Sequence, residues 1–199
     1  MKLRAARVVA FAALPLTIAL LATPALAQED EEGRFSIGVG AGLVQTTSGS
    51  DPYLTANLRS RIGYRVAGEE RQGSVFGFVE PEVGYWTSDR VNNGRKLETK
   101  DTLLGVNIGG AVRLRVFEYF IAGGVGYHMF DRDVASGLTT RSVSDGSVGV
   151  NAQFGFDIRM SETVSMFGVG RFDLVQSDDD SGSNDDNQTK AYLGLRFHL

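Results

Sequence analysis

His128 and His198 are the side chains best suited to acid–base chemistry near neutral pH, because an unperturbed imidazole titrates there. Neither is followed two positions on by serine. His128 precedes Met129-Phe130, and His198 is next to last. The spacing shows no Ser/His/acid set, so both histidines read as hydrogen-bonded interior residues. Two histidines without a matching carboxylate cluster make a poor metal site. The sequence has no cysteine, which removes thiolate ligands and disulfides. The stretch 177–187 is rich in oxygen donors. Asp178, Asp180 and Asp186 alternate around Gly182, as ligands of Ca²⁺ can, but the bidentate glutamate and flanking helices of an EF-hand are missing. The stretch reads as a solvated acidic loop, offering at most a weak divalent site. No cofactor is implied.

The remaining chemistry is charge. Arg59, Arg61, Glu80, Glu82, Arg113, Arg115, Asp157 and Arg171 each occupy a face shared with glycine, serine or asparagine. Mixed signs favour pairing into a plug, whereas a channel more often carries one sign at its constriction. Charges in a poorly hydrated interior are tolerated only when paired and hydrogen-bonded.

The elements that must position these charges follow from the rest of the sequence. Lys2, Arg4 and Arg7 precede an apolar run, Val8–Leu21, and the small-x-small pattern Ala25-Leu26-Ala27. This is the form of a cleaved secretory leader, residues 1–27, leaving 28–199 as the mature chain. Its removal takes the net charge from −4 to −7, which argues against a nucleic-acid partner. No later run has the length of a membrane helix.

The mature part reads as eight segments of period-2 alternation. They run about Arg34–Thr46, Tyr53–Val66, Ser74–Thr87, Thr102–Val116, Tyr119–Phe130, Ser144–Met160, Val164–Gln176 and Lys190–Leu199. One face carries Val39, Leu58, Val79, Ile108, Val125, Phe154 and Leu195; the other carries the charges with glycine, serine and asparagine. The seventh segment is the exception, because Phe167 and Val169 share a face with Arg171 and Asp173. Tight turns are expected at Ala67–Gly73, Phe117-Glu118 and Ser161–Thr163. Longer polar connections are expected at Thr47–Pro52, Ser88–Asp101, Asp131–Val143 and Ser177–Thr189.

Centring those tight turns opposes Arg59 to Glu80, Arg113 to Ala122, Gln153 to Arg171 and Asn151 to Asp173. Polar face then meets polar face in each hairpin. Pro81 falls mid-strand, where it removes a ladder donor, and a bulge is expected there.

The faces decide the environment. A narrow eight-strand interior is filled by side chains, and long charged groups fit only beside small neighbours, which the glycines supply. The opposite face is nearly free of charge. Only a closed sheet can carry such a face through a bilayer with every backbone group paired. The fold class is therefore all-β: an eight-stranded antiparallel up-and-down transmembrane β-barrel, with short turns on one side and long loops on the other. Tyr53, Tyr64, Tyr85, Tyr119 and Tyr127 fall near strand ends, where interfacial girdles lie.

The ending Tyr192-Leu193-Gly194-Leu195-Arg196-Phe197-His198-Leu199 resembles the C-terminal β-signal of outer-membrane barrels, carried by Tyr192, Gly194, Phe197 and Leu199, with leucine where phenylalanine is usual. Phe120-Ile121-Ala122-Gly123-Gly124-Val125-Gly126-Tyr127, and Gly155-Phe156-Asp157-Ile158 followed by Gly170-Arg171-Phe172, resemble strands of the small outer-membrane barrel family of OmpX and OmpA's barrel. The resemblance covers the whole mature chain. It implies a monomer in the bacterial outer membrane, with outer-membrane lipids, lipopolysaccharide and the barrel assembly machinery as partners. The expected role is non-enzymatic, in surface structure or interaction. A small pore and a lipid-modifying enzyme are the alternatives. The lipid A deacylase family's His-x-Ser pair has no counterpart here.

Overall fold

In the structure, a computed structural model, the described residues are 33–47, 52–69, 73–92, 95–136, 139–176 and 187–199. The leader and the acidic residues Asp178, Asp180 and Asp186 lie outside them. Eight strands are present: β1 (Gly33–Thr46), β2 (Tyr53–Glu69), β3 (Gly73–Asn92), β4 (Arg95–Leu114), β5 (Phe117–Ser136), β6 (Thr139–Arg159), β7 (Val164–Gln176) and β8 (Gln188–His198). Each pairs antiparallel with its sequence neighbours, and β1 pairs with β8, so the sheet closes into an up-and-down barrel.

The alternation sorts side chains as the period-2 pattern requires. Large apolar residues point outward and stay uncovered, including Leu54 at 77%, Ile121 at 71% and Phe154 at 69% exposure. In water, a continuous apolar belt of this size would drive association; in hydrocarbon it is the low-energy surface. Exposed Tyr119 and Tyr127 lie eight residues apart on β5, ~26 Å along the strand and ~20 Å along the membrane normal at a tilt of ~40°. Tyr64 and Tyr85 mark the same two levels on β2 and β3. Tyr53 departs from the expected girdle: it is half-buried and stacks on Trp86, 5.8 Å between ring centres.

Two apolar clusters lie inside. Phe76, Phe78, Ala111, Phe120, Phe167, Val169 and Tyr192 form one; Val44, Trp86, Phe130 and Val175 form the other. The inward Phe167 and Val169 that weaken the alternation of β7 are thus core residues.

Four expectations need correction. In the β2–β3 hairpin Arg59 opposes Glu82, not Glu80, because the hairpin closes farther along than expected, with Glu69 opposite Gly73, and the one-residue shift between Arg65 and Ala67 takes back only part of that displacement. Pro81 causes no bulge: the β2–β3 ladder skips Ser60 and Arg61 across from it and resumes in the same register, while Pro81 stays paired with Val106 on β4. The β4–β5 turn is Arg115-Val116, so Arg113 opposes Glu118 rather than Ala122. Arg115 takes a left-handed φ of 57° in that turn and is exposed, outside the lumen. The displacements are of even length, so the face assignments within the strands survive them, Arg115 in the turn being the exception.

The fourth correction concerns the long connections. The β3–β4 ladder continues to Asn92 and Arg95, and the β5–β6 ladder to Ser136 and Thr139. The β4–β5 ladder joins them as far as Lys96 and Ala135. The β2–β3 pairing stops at Thr55 and Trp86, and β6–β7 pairing starts at Val148 and Gln176. A four-stranded sheet, β3–β6, therefore stands free beyond the barrel on the side away from the short turns. From Tyr127 to Ser136 it extends ~30 Å along the strand.

Candidate functional site

The barrel interior gathers the charges. Glu80 of β3 is the hub. Its Oε1 lies 3.1 Å from Arg59 Nη1; its Oε2 lies 2.9 Å from Arg61 Nε and 3.1 Å from Arg196 Nη2. Arg59 Nη2 also donates to Glu82 Oε2 and to Gln153 Oε1, each at 2.7 Å, and so spans from β2 to β6. Arg171 pairs with Glu82 and, at 2.6 Å, with Asp173, which takes Lys190 Nζ at 3.2 Å. Arg61 Nη1 reaches Glu118 Oε1 at 3.1 Å; Arg113 pairs with the other Glu118 oxygen. Asp157 Oδ2 accepts from Arg196 Nη1 at 2.7 Å.

Aromatic rings cover the guanidinium faces. Arg61 lies 4.0 Å over Phe78 and 4.3 Å over Phe120, and Arg113 lies 4.6 Å over Phe76. A desolvated contact of this kind contributes about 2 kcal/mol. Rings thus replace the water that a buried cation loses.

At the end beyond which the free sheet stands, Asp101 Oδ2 accepts three hydrogen bonds. They come from Trp86 Nε1 at 2.8 Å, His128 Nδ1 at 2.9 Å and Gln188 Nε2 at 3.0 Å. His128 stacks on Phe130. With Val44 and Val175 beside them, these groups form a seal that is apolar in its walls and gathered around one carboxylate oxygen.

Of the eight charges expected inside, Arg59, Arg61, Glu80, Glu82, Arg113, Asp157 and Arg171 meet there, and Arg115 does not. Sequence reasoning leaves Asp101, Glu118, Asp173, Lys190 and Arg196 out of that set. Arg196 and Asp173 are legible as members of the polar face. Asp101 and Glu118 fall in an expected loop and an expected turn. Among the described residues, Arg59, Arg61, Arg113, Arg171, Lys190 and Arg196 pair with Glu80, Glu82, Glu118, Asp157 and Asp173, and Asp101 pairs with His128.

The structure also brings together a serine, a histidine and an acid that no spacing reveals. Ser165 Oγ donates to Asp157 Oδ1 at 3.0 Å and lies 3.0 Å from His198 Nε2. A hydrolytic triad needs the acid on the other imidazole nitrogen and a reachable nucleophile. Here the acid takes the serine proton, and Ser165 is buried. The arrangement is a clip joining β6, β7 and β8. Ser165→Ala should cost about 0.5–1.5 kcal/mol of stability, and neither it nor the unaltered protein should release fatty acid from lipid A or phospholipid vesicles. Turnover lost on Ser165→Ala would reinstate the enzyme reading.

Among the described residues no group of three or more His, Cys, Asp or Glu could hold a metal ion. At the short-turn end, a pocket of about 30 Å³, the size of one water, is lined by Arg61, Phe78, Arg113, Glu118, Arg196 and His198 among others.

Residues 13–198 match the family model described as the outer membrane protein beta-barrel domain. Solved structures share the fold. A major outer membrane protein of Thermus thermophilus aligns with a TM-score of 0.63 at 15% identity, covering 84% of this chain and 99% of that one. Neisserial surface protein A aligns at 0.58 with 12% identity, covering 83% and 97%. The attachment invasion locus protein of Yersinia pestis, in complex with a heparin analogue, aligns at 0.51 with 14% identity, covering 84% and 98%. No curated protein matches.

Proposed function

Because the chain belongs to the outer membrane protein beta-barrel domain family and sits in the bacterial outer membrane, we propose that it is a non-enzymatic surface protein whose barrel is a sealed anchor and whose working part is the free sheet β3–β6. The observation that carries this reading is the filled lumen. Arg59 is 1% exposed, and Glu80, Asn107, His128 and Gln188 show none. These residues lie at successive levels of the interior, so the described lumen is packed with side chains along its length. What stays accessible is the exterior: the lipid belt and the sheet standing above it.

That sheet is polar where it leaves the membrane. Asp131 accepts from Ser144, and Lys100 Nζ lies 2.7 Å from Glu98. These groups follow the exposed Tyr85 and Tyr127 along the strands, on the side of the long connections, which supports lipopolysaccharide as a neighbour. We read residues 1–27 as the cleaved leader and 28–199 as the mature barrel, delivered by the barrel assembly machinery as a monomer.

The test removes the sheet and keeps the barrel. Residues 88–99 and 131–145 are each replaced by a short turn. The trimmed protein should still assemble in the outer membrane and migrate as a folded, heat-modifiable species, yet fail to restore a deletion strain's surface phenotype. Full restoration by the trimmed barrel would place the role in the barrel and overturn the reading.

A further inference from the structure

We infer that Arg196 is a latch for the last strand, holding the barrel seam shut from inside. The β1–β8 contact differs from every other strand pair: no turn connects it, because it joins the first strand to the last. Nor is it held by a charge among the described lumen-facing side chains of β1. From Ser36 to Thr46, β1 presents Ser36, Gly38, Gly40, Gly42, Val44 and Thr46 inward, with no charge among them.

The polar groups of β8 reach to strands other than β1. Arg196 binds Glu80 on β3 and Asp157 on β6. Lys190 binds Asp173 on the adjacent β7, and Gln188 binds Asp101 on β4. Arg196 alone among them joins the central carboxylate that also holds Arg59 and Arg61 of β2.

Gly38, opposite Arg196 in the ladder, leaves room for this crossing. A Cβ there would stand 3.1 Å from the Phe167 ring and 3.6 Å from Arg196 Nε, so a longer side chain would fill the space the guanidinium uses. Glycine in β1 and arginine in β8 are thus two halves of one device. Closure of the barrel and completion of the charge balance at Glu80 are the same event.

The experiment measures backbone amide exchange in the full-length mature protein, purified from outer membranes into detergent micelles. Arg196→Met should speed exchange at amides of β1 and β8 at least about tenfold relative to those of β4 and β5, since seam opening becomes a local event. Lys190→Met, which removes a cation paired only with the neighbouring strand, should leave the seam within about twofold of the parent. A uniform rise in all strands, or no rise at the seam, overturns the latch.

If Arg196→Met does not fold, the change is repeated with Gln45→Cys and Thr189→Cys, opposed residues near the outer end of the seam. The chain is otherwise free of cysteine, so the disulfide is unambiguous. Recovery of the folded barrel on oxidation supports the latch. Oxidised protein that stays unfolded overturns it.

Discussion

Replacing Glu80 with alanine should lower the stability of the barrel by about 3–5 kcal/mol, the cost of leaving buried charge without its partner. The effect should fall at the upper end, because three guanidinium groups converge on this one carboxylate. Removing it leaves Arg59, Arg61 and Arg196 facing one another among buried side chains. Asp131→Ala on the exposed sheet should change stability by no more than about 0.5 kcal/mol.

The measurement is equilibrium urea unfolding from lipid vesicles. The expected result is a large drop for Glu80→Ala and none for Asp131→Ala. Reversing one pair, Arg59→Glu with Glu80→Arg, should recover little, since the new arginine would meet Arg61 and Arg196. Combining Glu80→Ala with Arg196→Met should cost less than the sum of the two changes, because the second removes a charge stranded by the first. Additive costs would show that Glu80 is not the hub described here.

Deleting Phe197–Leu199 should prevent most of the protein from assembling. These residues close both sides of the last strand. Phe197 pairs with Ile37 on β1 and with Val164 on β7; His198 N donates to Thr163 O, and Leu199 N donates to Phe35 O. The truncation exposes unpaired backbone groups at the edge of hydrocarbon, each costing several kcal/mol. It also removes the His198 side of the Ser165 clip. Leu199→Phe should be neutral, since it keeps an exposed apolar terminus. The readout is the amount of heat-modifiable protein in isolated outer membranes. Normal levels of the truncated chain would contradict the role given to these residues.

The faces were legible because alternation with period 2 depends on nothing but the strand. The β6–β7 hairpin was legible in full: Gln153 opposes Arg171 and Asn151 opposes Asp173, because the connection is short and carries no irregularity. The β2–β3 partners were not, since the polar, glycine-containing stretch Ala67–Gly73 does not fix where the hairpin closes, and a one-residue bulge near Ala67 leaves no mark in composition. The β4–β5 turn was misplaced because Leu114, Val116 and Phe117 continue an apolar run through it. The free sheet was hidden because Ser88–Thr99 and Asp131–Ser144 are polar on both faces, and polar strands standing in water look like loops.

The contact between Glu80 and Arg196 was beyond reach for a different reason. Hairpin logic relates neighbouring strands, and these two lie on separate walls of the lumen. The Ser165 clip lay across two hairpins, joining Ser165 of β7 to Asp157 on the strand before and His198 on the strand after, at positions that no single turn relates.

The central claim is that the lumen is filled and charge-balanced, so that function lies outside it. The most direct test is a planar bilayer recording with purified protein. The barrel should add no steady unitary conductance above the bare membrane at any salt concentration, because the interior charges neutralise one another and leave no continuous water path. Large, stable unitary currents from the pure, folded protein would contradict the account and make it a small pore.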